Sequence, residues 1–555
     1  MDIKTFMKLS LFLLCILPVS AQFGDFAVTD DGQLSFFTTL RMQSQQDVAK
    51  QAKIFRWDGD FHMTAIAPDG AGIVPPAVNQ PFVSGDGKIT GYWKYIGCAS
   101  PSCGLSGVAP YSVVISGATL PLNVPLFTGR ISRNGRYFLT ATWPTGLMLV
   151  DLQKQSVTAI GGQTLATRNF SVANDGTAAI VTFTNGSNSI LDVWTPDGGL
   201  QTVPGGDNAT LAAISPDGRF VAYERSTELV LLNRATGEQK TLAHRTDTAV
   251  LSLFDFLPSY FSASFSNDGT LLYADDAKQP VLLSPDGVTR PLVNVPEGGR
   301  EMILSGNGQV AWVETQTGRL LRVNTGDGSF TEVLPRTPYL SGIRAGSVPG
   351  SLARGFGYGM AMDTEISWPG AQAPVEEVKD TAFAFQIPWD YQPTTGQVRA
   401  IIHQPGNPFE QLQDIFLTSA VNPLFERGDD PAHNVLQMAH GDFHGVVTPD
   451  DPATAGETVH LFALNMGPVD QPLQTGEKAP ASPPARITTP FACYLLTTDR
   501  ARVEGVPVPF AGLTAGSVGE YQIDITIPTD WPSGQTTVSC KTAQNLGDND
   551  QFWVR

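Results

Sequence analysis

A short pattern that recurs seven times narrows what this chain can become. Each copy has an apolar stretch, a small residue, Asp-Gly or Asn-Gly, and a second apolar stretch. The copies are Val28-Thr29-Asp30-Asp31-Gly32, Val83-Ser84-Gly85-Asp86-Gly87, Ile131-Ser132-Arg133-Asn134-Gly135 and Val172-Ala173-Asn174-Asp175-Gly176, then Ile214-Ser215-Pro216-Asp217-Gly218, Phe265-Ser266-Asn267-Asp268-Gly269 and Leu304-Ser305-Gly306-Asn307-Gly308. Their glycines follow one another at intervals of about 46 residues, a period typical of repeat folds. Asp-Gly and Asn-Gly tolerate the positive φ that a tight hairpin turn demands. Flanking runs such as Arg219-Phe220-Val221-Ala222-Tyr223 suit strands.

The fifth copy shows a whole unit. Its pattern predicts strands over 211–214, 220–224, 228–232 and 240–242, with a turn at Ala235-Thr236-Gly237. A four-stranded antiparallel meander at this period predicts a β-propeller rather than a helical solenoid. Seven blades can be marked, and the irregular first two copies leave six or eight open. Stacked sandwiches with incidental Asp-Gly turns are the competing reading. The Ser215-Pro216-Asp217-Gly218 turn resembles the signature of bacterial WD40-like, TolB-type propeller units, and the other copies resemble it in part. That resemblance covers roughly residues 25–340 and implies a fold, not an activity. Ring closure is expected to use Phe23–Val28 as the outer strand of the last blade.

Past about residue 340 the repeat stops and short strands bounded by Gly and Pro take over. In Tyr521–Ile527 the apolar residues alternate strictly with polar ones, as in a half-buried strand of an antiparallel sandwich. Five segments are notable: Pro349-Gly350-Ser351, Phe356-Gly357, Gln386–Trp389, Ala463–Pro468 and Phe510–Gln522. In this order they resemble the uncharacterised C-terminal domain of secreted acidobacterial (Solibacter-type) proteins. The resemblance implies export and an immunoglobulin/IPT-like β fold, and it carries no catalytic residues. Cys493 and Cys540 depart from what it implies.

The N-terminus reads as an export signal. Lys4 and Lys8 precede an apolar Leu9–Val19 stretch, and Val19-Ser20-Ala21 suits cleavage before Gln22. That stretch is too short to span a bilayer, which needs about 20 residues. Leu14 before Cys15 is too large for lipid attachment. With Cys15 removed, Cys98, Cys103, Cys493 and Cys540 remain, an even number in an exported chain, which reads as disulfides. The local pairing, Cys98–Cys103 and Cys493–Cys540, is the economical one of three. A zinc site is the competitor, with loose spacing against it. The net charge of −18 argues against nucleic acid and anionic membranes, because phosphate contacts need Lys and Arg.

Catalytic motifs are sparse. No Gly-x-Ser-x-Gly elbow, P-loop or dinucleotide fingerprint is present, and Gly355-Phe356-Gly357-Tyr358-Gly359 lacks a following helix pattern. His440-Gly441-Asp442-Phe443-His444, with His433 and His460 nearby, offers two imidazoles around a carboxylate. Gly441 and the β context disfavour the helical His-x-x-x-His geometry, so the segment is expected to be a hairpin turn and no metal ligands are assigned. Trp57, Trp93, Tyr95, Trp143 and Trp194 are expected to pack between blades rather than line a sugar site. Asn169, Asn185 and Asn208 sit in Asn-x-Ser/Thr sequons, taken as incidental in a bacterial protein.

The expectation is therefore an all-β protein. It has a signal peptide (1–21), a seven-bladed (six to eight) β-propeller (22–340), and two immunoglobulin-like units (341–435 with linker, and 436–555). The glycines and their partners Asp31, Asp86, Asn134, Asp175, Asp217, Asp268 and Asn307 are expected to build the blade turns. The expected function is binding of a protein or carbohydrate on a propeller face, without a cofactor. A hydrolase or lyase site in the central channel is the alternative; convergent Asp, Glu, His and Arg there would favour it, and Ser, Thr and apolar groups would favour binding.

Overall fold

The computed structural model describes residues 23–555 except 39, 43–52, 67–77, 96–110, 122–125, 143–145, 162–166, 184–188, 245–262, 316, 345–347, 380–381, 392–395, 418–420, 428–435 and 544–546. The export segment, Cys98, Cys103, Trp143, Asn185 and His433 lie outside the described residues. Among the described residues the regular elements are all strands, and no helix is long and apolar enough to cross a membrane. The chain forms two compact units. One runs to Thr337 and includes Asn407–Phe409; the other comprises Pro338–Gly406 and Glu410–Arg555.

The first unit is a series of small antiparallel sheets, consistent with propeller-like blades. Phe23–Val28, Leu34–Thr38, Lys53–Trp57 and Phe61–Ile66 make one. Phe409 packs edge-on against its Phe36, Phe55 and Phe61. Strands from Val78–Val83 to Ser156–Ile160 follow, and a single residue pair, Tyr111 with Leu126, merges them into one seven-stranded sheet. Four-stranded sheets then begin at Thr167–Val172, Ala209–Ile214, Ala263–Phe265 and Gly299–Leu304, each with its strands in chain order. The unit read from the fifth copy is Ala209–Ile214, Phe220–Arg225, Glu228–Asn233 and Gln239–His244.

Cores lie between consecutive sheets. Val181 and Leu191 of one sheet pack with Val221 and Tyr223 of the next, and Leu272 and Leu282 pack with Met302 and Val313. A strand covered on both faces favours apolar residues, and Val310–Thr315 is buried at every position, with Glu314 and Thr315 as its polar members. The last strand of a sheet is the least covered, and Thr289–Pro291 is exposed at every position.

Closure of the series differs from the sequence expectation. Phe23–Val28 pairs with Leu34–Thr38 as the first strand of the first sheet, not as an outer strand of the last. The last sheet obtains all four strands locally, from 299–334. Its first strand, Gly299–Leu304, lies beside Phe23–Val28. The Trp312 indole N–H donates to the Gly32 carbonyl at 2.9 Å, and Trp57 meets Trp312 edge-on at 4.9 Å. First and last sheets are thus joined by side chains and by backbone hydrogen bonds between their turns rather than by a shared sheet.

The second unit has two cores. Ile366, Phe385, Ile402 and Ile415 anchor one, between a sheet containing Leu352–Tyr358 and Ala382–Gln386 and a sheet containing Gly396–His403 and Glu365–Trp368. Leu461, Ile523, Leu495 and Val538 anchor the other, between a sheet of Thr458–Leu464 and Tyr521–Thr526 and a sheet of Phe491–Thr497 and Gly534–Thr542. Alternation in Tyr521–Thr526 buries Tyr521, Ile523 and Ile525. Cys493 and Cys540 face each other across paired strands and form a disulfide. Arg354 links the two halves: its guanidinium binds Glu426 at 2.9 Å and Glu377 at 2.7 Å, with Glu520 at 3.6 Å. Burial pushes the Glu520 carboxyl up despite Arg354.

Candidate functional site

The repeated turns share one hydrogen-bond scheme. In the fifth copy the Gly218 N–H donates to the Ser215 carbonyl at 2.8 Å, and Gly218 has φ +72°. The Ser215 hydroxyl donates to Asp217 Oδ1 at 2.6 Å and accepts the Phe220 N–H at 2.9 Å. Asp217 Oδ1 also accepts the Arg219 N–H at 3.0 Å. Only the glycine takes the left-handed conformation; none of the seven Asp or Asn partners has a positive φ. This corrects the reading of both residues as φ-tolerant turn formers: the Asp or Asn is there as an acceptor. Ser84, Ser132 and Ser305 bond Asp86, Asn134 and Asn307 in the same way, at 2.7, 2.7 and 2.8 Å. Thr29 bonds Asp31, and Ser266 bonds Asp268. The fourth copy has Ala173, and there Thr177 donates to Asp175 from the other side, at 3.0 Å. Lys88 and the Ser84 hydroxyl pull the Asp86 carboxyl down to about 2.

Neighbouring turns hold one another. Asp30 N–H donates to Gly85 O (2.7 Å), Gly85 N–H to Arg133 O (2.6 Å), and Asn134 N–H to the Asn174 side chain (2.8 Å). Asn174 N–H donates to Pro216 O (2.8 Å), Asn267 N–H to Gly306 O (2.7 Å), and Asn307 N–H returns to Asp30 O (3.0 Å). The last link runs from the seventh copy to the first.

A cavity of about 290 Å³ is lined by the strands that lead into these turns, with Arg133 and Pro216 from the turns themselves. Arg133 reaches across it. Its guanidinium donates to the carbonyls of Val28 and Leu304 (2.7 Å for Leu304), and to Phe265 O at 3.4 Å. Burial pulls the Arg133 pKa down, opposed by Asp30 at 3.9 Å. The Asp30 carboxylate fills the space where a Cβ of Gly85 or Gly306 would stand.

Polar groups along the cavity wall are engaged by the neighbouring sheet. Asn169 Oδ1 accepts the Ala212 N–H (3.0 Å), Ser171 Oγ the Ile214 N–H (2.9 Å), and Ser264 Oγ the Leu304 N–H (3.1 Å). Arg130 and Glu301 are the other charged lining residues; most of the rest are apolar. Among the described lining residues there is no His or Cys, and both lining serines have hydroxyls accepting from backbone N–H. Trp93 is fully buried and stacks on Phe138, and Trp194 is buried between sheets.

The His440–His444 segment forms a turn, as expected, but one that places both rings on the same side. They stack at 4.2 Å, and Asp451 lies 3.4 Å from each Nε2. Sequence reasoning tested only helical spacing and so missed Asp451.

These observations define an all-β protein of propeller-like antiparallel sheets followed by a two-core β unit. No protein-family model matches the chain, and no curated protein matches its sequence. Neither the TolB-type nor the Solibacter-type resemblance gains family-level support. Among solved structures the chain is similar to a hydrazine synthase chain of Kuenenia stuttgartiensis, at 13% identity and a TM-score of 0.36, over 56% of this chain and 97% of that one. A TM-score that low does not establish a shared fold.

Proposed function

We propose that this is an exported recognition protein. Its first unit is read as a seven-bladed β-propeller of the TolB type whose face binds a protein or a carbohydrate, and its second as a pair of immunoglobulin-like sandwiches. The observation that carries the binding reading is the cavity wall: its Asn and Ser side chains stitch adjacent sheets, and Arg133 stoppers the centre. A channel committed in this way leaves the rims as recognition surfaces. Seven turns, with six links between successive copies, support the blade count. The core shared between the sheet of Thr458–Leu464 and Tyr521–Thr526 and the sheet of Phe491–Thr497 and Gly534–Thr542 supports the immunoglobulin-like reading, since such sandwiches bury the facing sides of two antiparallel sheets. The Cys493–Cys540 disulfide supports an oxidising compartment.

A glycan array and a pull-down from culture supernatant, both with residues 22–555, test this reading. Saturable binding without conversion of the ligand is expected. Turnover of a bound ligand that Glu301→Gln abolishes would establish the channel hydrolase or lyase instead.

A further inference from the structure

We infer that His440, His444 and Asp451 form a binding site for one zinc-class divalent cation. The site belongs to the second unit and is independent of what the first unit binds.

The loop builds it from the backbone. His440 N–H donates to Gly445 O at 3.1 Å and Phe443 N–H to His440 O at 2.8 Å. Phe443 takes φ +59°, which turns the chain so that His444 returns over His440. The turn is pinned from below, where the Phe443 ring stacks on His460 at 4.1 Å, nearly parallel. Asp451 is presented by a second small turn, its N–H on Thr448 Oγ1 at 3.0 Å and its carbonyl accepting the Thr448 N–H at 3.0 Å.

The imidazoles are oriented as metal ligands are. His440 Nδ1 meets Glu457 Oε1 at 2.8 Å, and His444 Nδ1 meets Asp442 Oδ1. A histidine whose Nδ1–H is held by a carboxylate offers its Nε2 lone pair outward, the usual outer-shell arrangement at metal centres. Glu457 is itself fixed by the N–H groups of Thr454 (2.8 Å) and Gly441 (3.1 Å). Both Nε2 atoms then face Asp451 Oδ2, each at 3.4 Å, and His440 Nε2 also meets the Asp451 carbonyl at 3.3 Å, a contact that a bound cation would replace. Two ligand atoms about 2.0–2.1 Å from a tetrahedral zinc are separated by about 3.4 Å. The three candidate ligand atoms all lie within 4.8 Å of one another. His460 stands outside this cluster: its Nδ1 faces Asp524 (2.7 Å) and its Nε2 faces Gly441 O (3.2 Å).

Two nitrogens and one oxygen select a borderline cation such as Zn²⁺ over Ca²⁺ or Mg²⁺, which prefer oxygen ligands. His444 and Asp451 are about half exposed, at 52% and 45%, so the fourth position opens to solvent.

Untagged, metal-stripped protein of residues 22–555 is dialysed against Zn²⁺, with Co²⁺ absorption as a coordination readout. One Zn²⁺ per chain is expected, with a visible Co²⁺ band. His444→Ala and Asp451→Asn, both at exposed positions, should each weaken Zn²⁺ binding at least tenfold and remove the band. Glu457→Gln, which acts through His440, should weaken binding by about 10–100-fold. Wild-type protein that binds no more Zn²⁺ than the His444→Ala/Asp451→Asn double variant would overturn the site and leave an ion-paired histidine turn.

Discussion

The serine that opens most of the repeated turns does two jobs with one hydroxyl. Ser215 donates to Asp217 and accepts from Phe220 N–H, and it is fully buried. Replacing it with alanine strands a backbone donor, so Ser215→Ala should cost about 1–3 kcal/mol in a urea melt. In the fourth copy, which has Ala173, Thr177 supplies the donor to the carboxylate, so a Thr at position 219 should restore the bond to Asp217 but not an acceptor for Phe220 N–H, and should recover only part of the loss at Ser215. The carboxylates of Asp86, Asp217 and Asp268 are all held below their ordinary range. For Asp86 the cause is Lys88 and Ser84; for the other two, hydrogen bonds from Ser and backbone N–H outweigh burial. A depressed carboxylate contributes stability above its unfolded pKa and loses it as pH falls through the folded one. The melting temperature should therefore drop on acidification from about pH 4 to pH 2, the range between the unfolded and folded values of Asp86. The drop should be shallower in the Asp86→Asn/Asp217→Asn/Asp268→Asn variant. Asparagine keeps the acceptor, as Asn134 and Asn307 already do.

At the scale of elements, the strands Phe491–Thr497 and Gly534–Thr542 pair along their length and carry the disulfide between directly opposed residues. The bond closes a loop of 47 residues. Loop-closure entropy for that span is about 4 kcal/mol, and measured losses run from about 2 to 5. The Cys493→Ala/Cys540→Ala variant should lose stability in that range by denaturant titration, and reduction of the wild type should reproduce the loss. These cysteines were legible as a candidate pair from their even count. The economy of local pairing also pointed to Cys493 with Cys540, as found; that the two stand directly opposite on paired strands was not legible, because strand register depends on the sheet they build.

On the scale of the whole molecule, Arg133 joins carbonyls 105 and 171 residues away in sequence, and Trp312 reaches 280 residues back to Gly32. Such links close the series of sheets. Arg133→Met should cost about 3 kcal/mol, since it removes charge-assisted bonds and leaves the Asp30 carboxylate without its cation. Adding Asp30→Asn should recover part of that loss, with a coupling above about 0.5 kcal/mol in a double-mutant cycle. Simple additivity would sink the assigned link.

How much was legible follows from where the information sits. The spacing of Asp-Gly and Asn-Gly between apolar runs was enough to place strands, turns and the four-stranded unit, because hydrogen-bonded turns and strand periodicity are local. The Gly at the second place of two copies, Gly85 and Gly306, had no local reason; it is small because the Asp30 carboxylate occupies that space. The role of Phe23–Val28 was misplaced for the opposite cause: it pairs with the next strand, Leu34–Thr38, across the Asp31-Gly32 turn, where local hairpin pairing prevails over a distant partner. The convergence of His440, His444 and Asp451 rests on a left-handed Phe443 and a stacked ring, neither of which residue spacing encodes. Sequence alone determined the class of element and the period of the repeat, through local backbone preference. Only tertiary structure decided which distant side chains meet, because those contacts depend on how packed sheets are arranged in space.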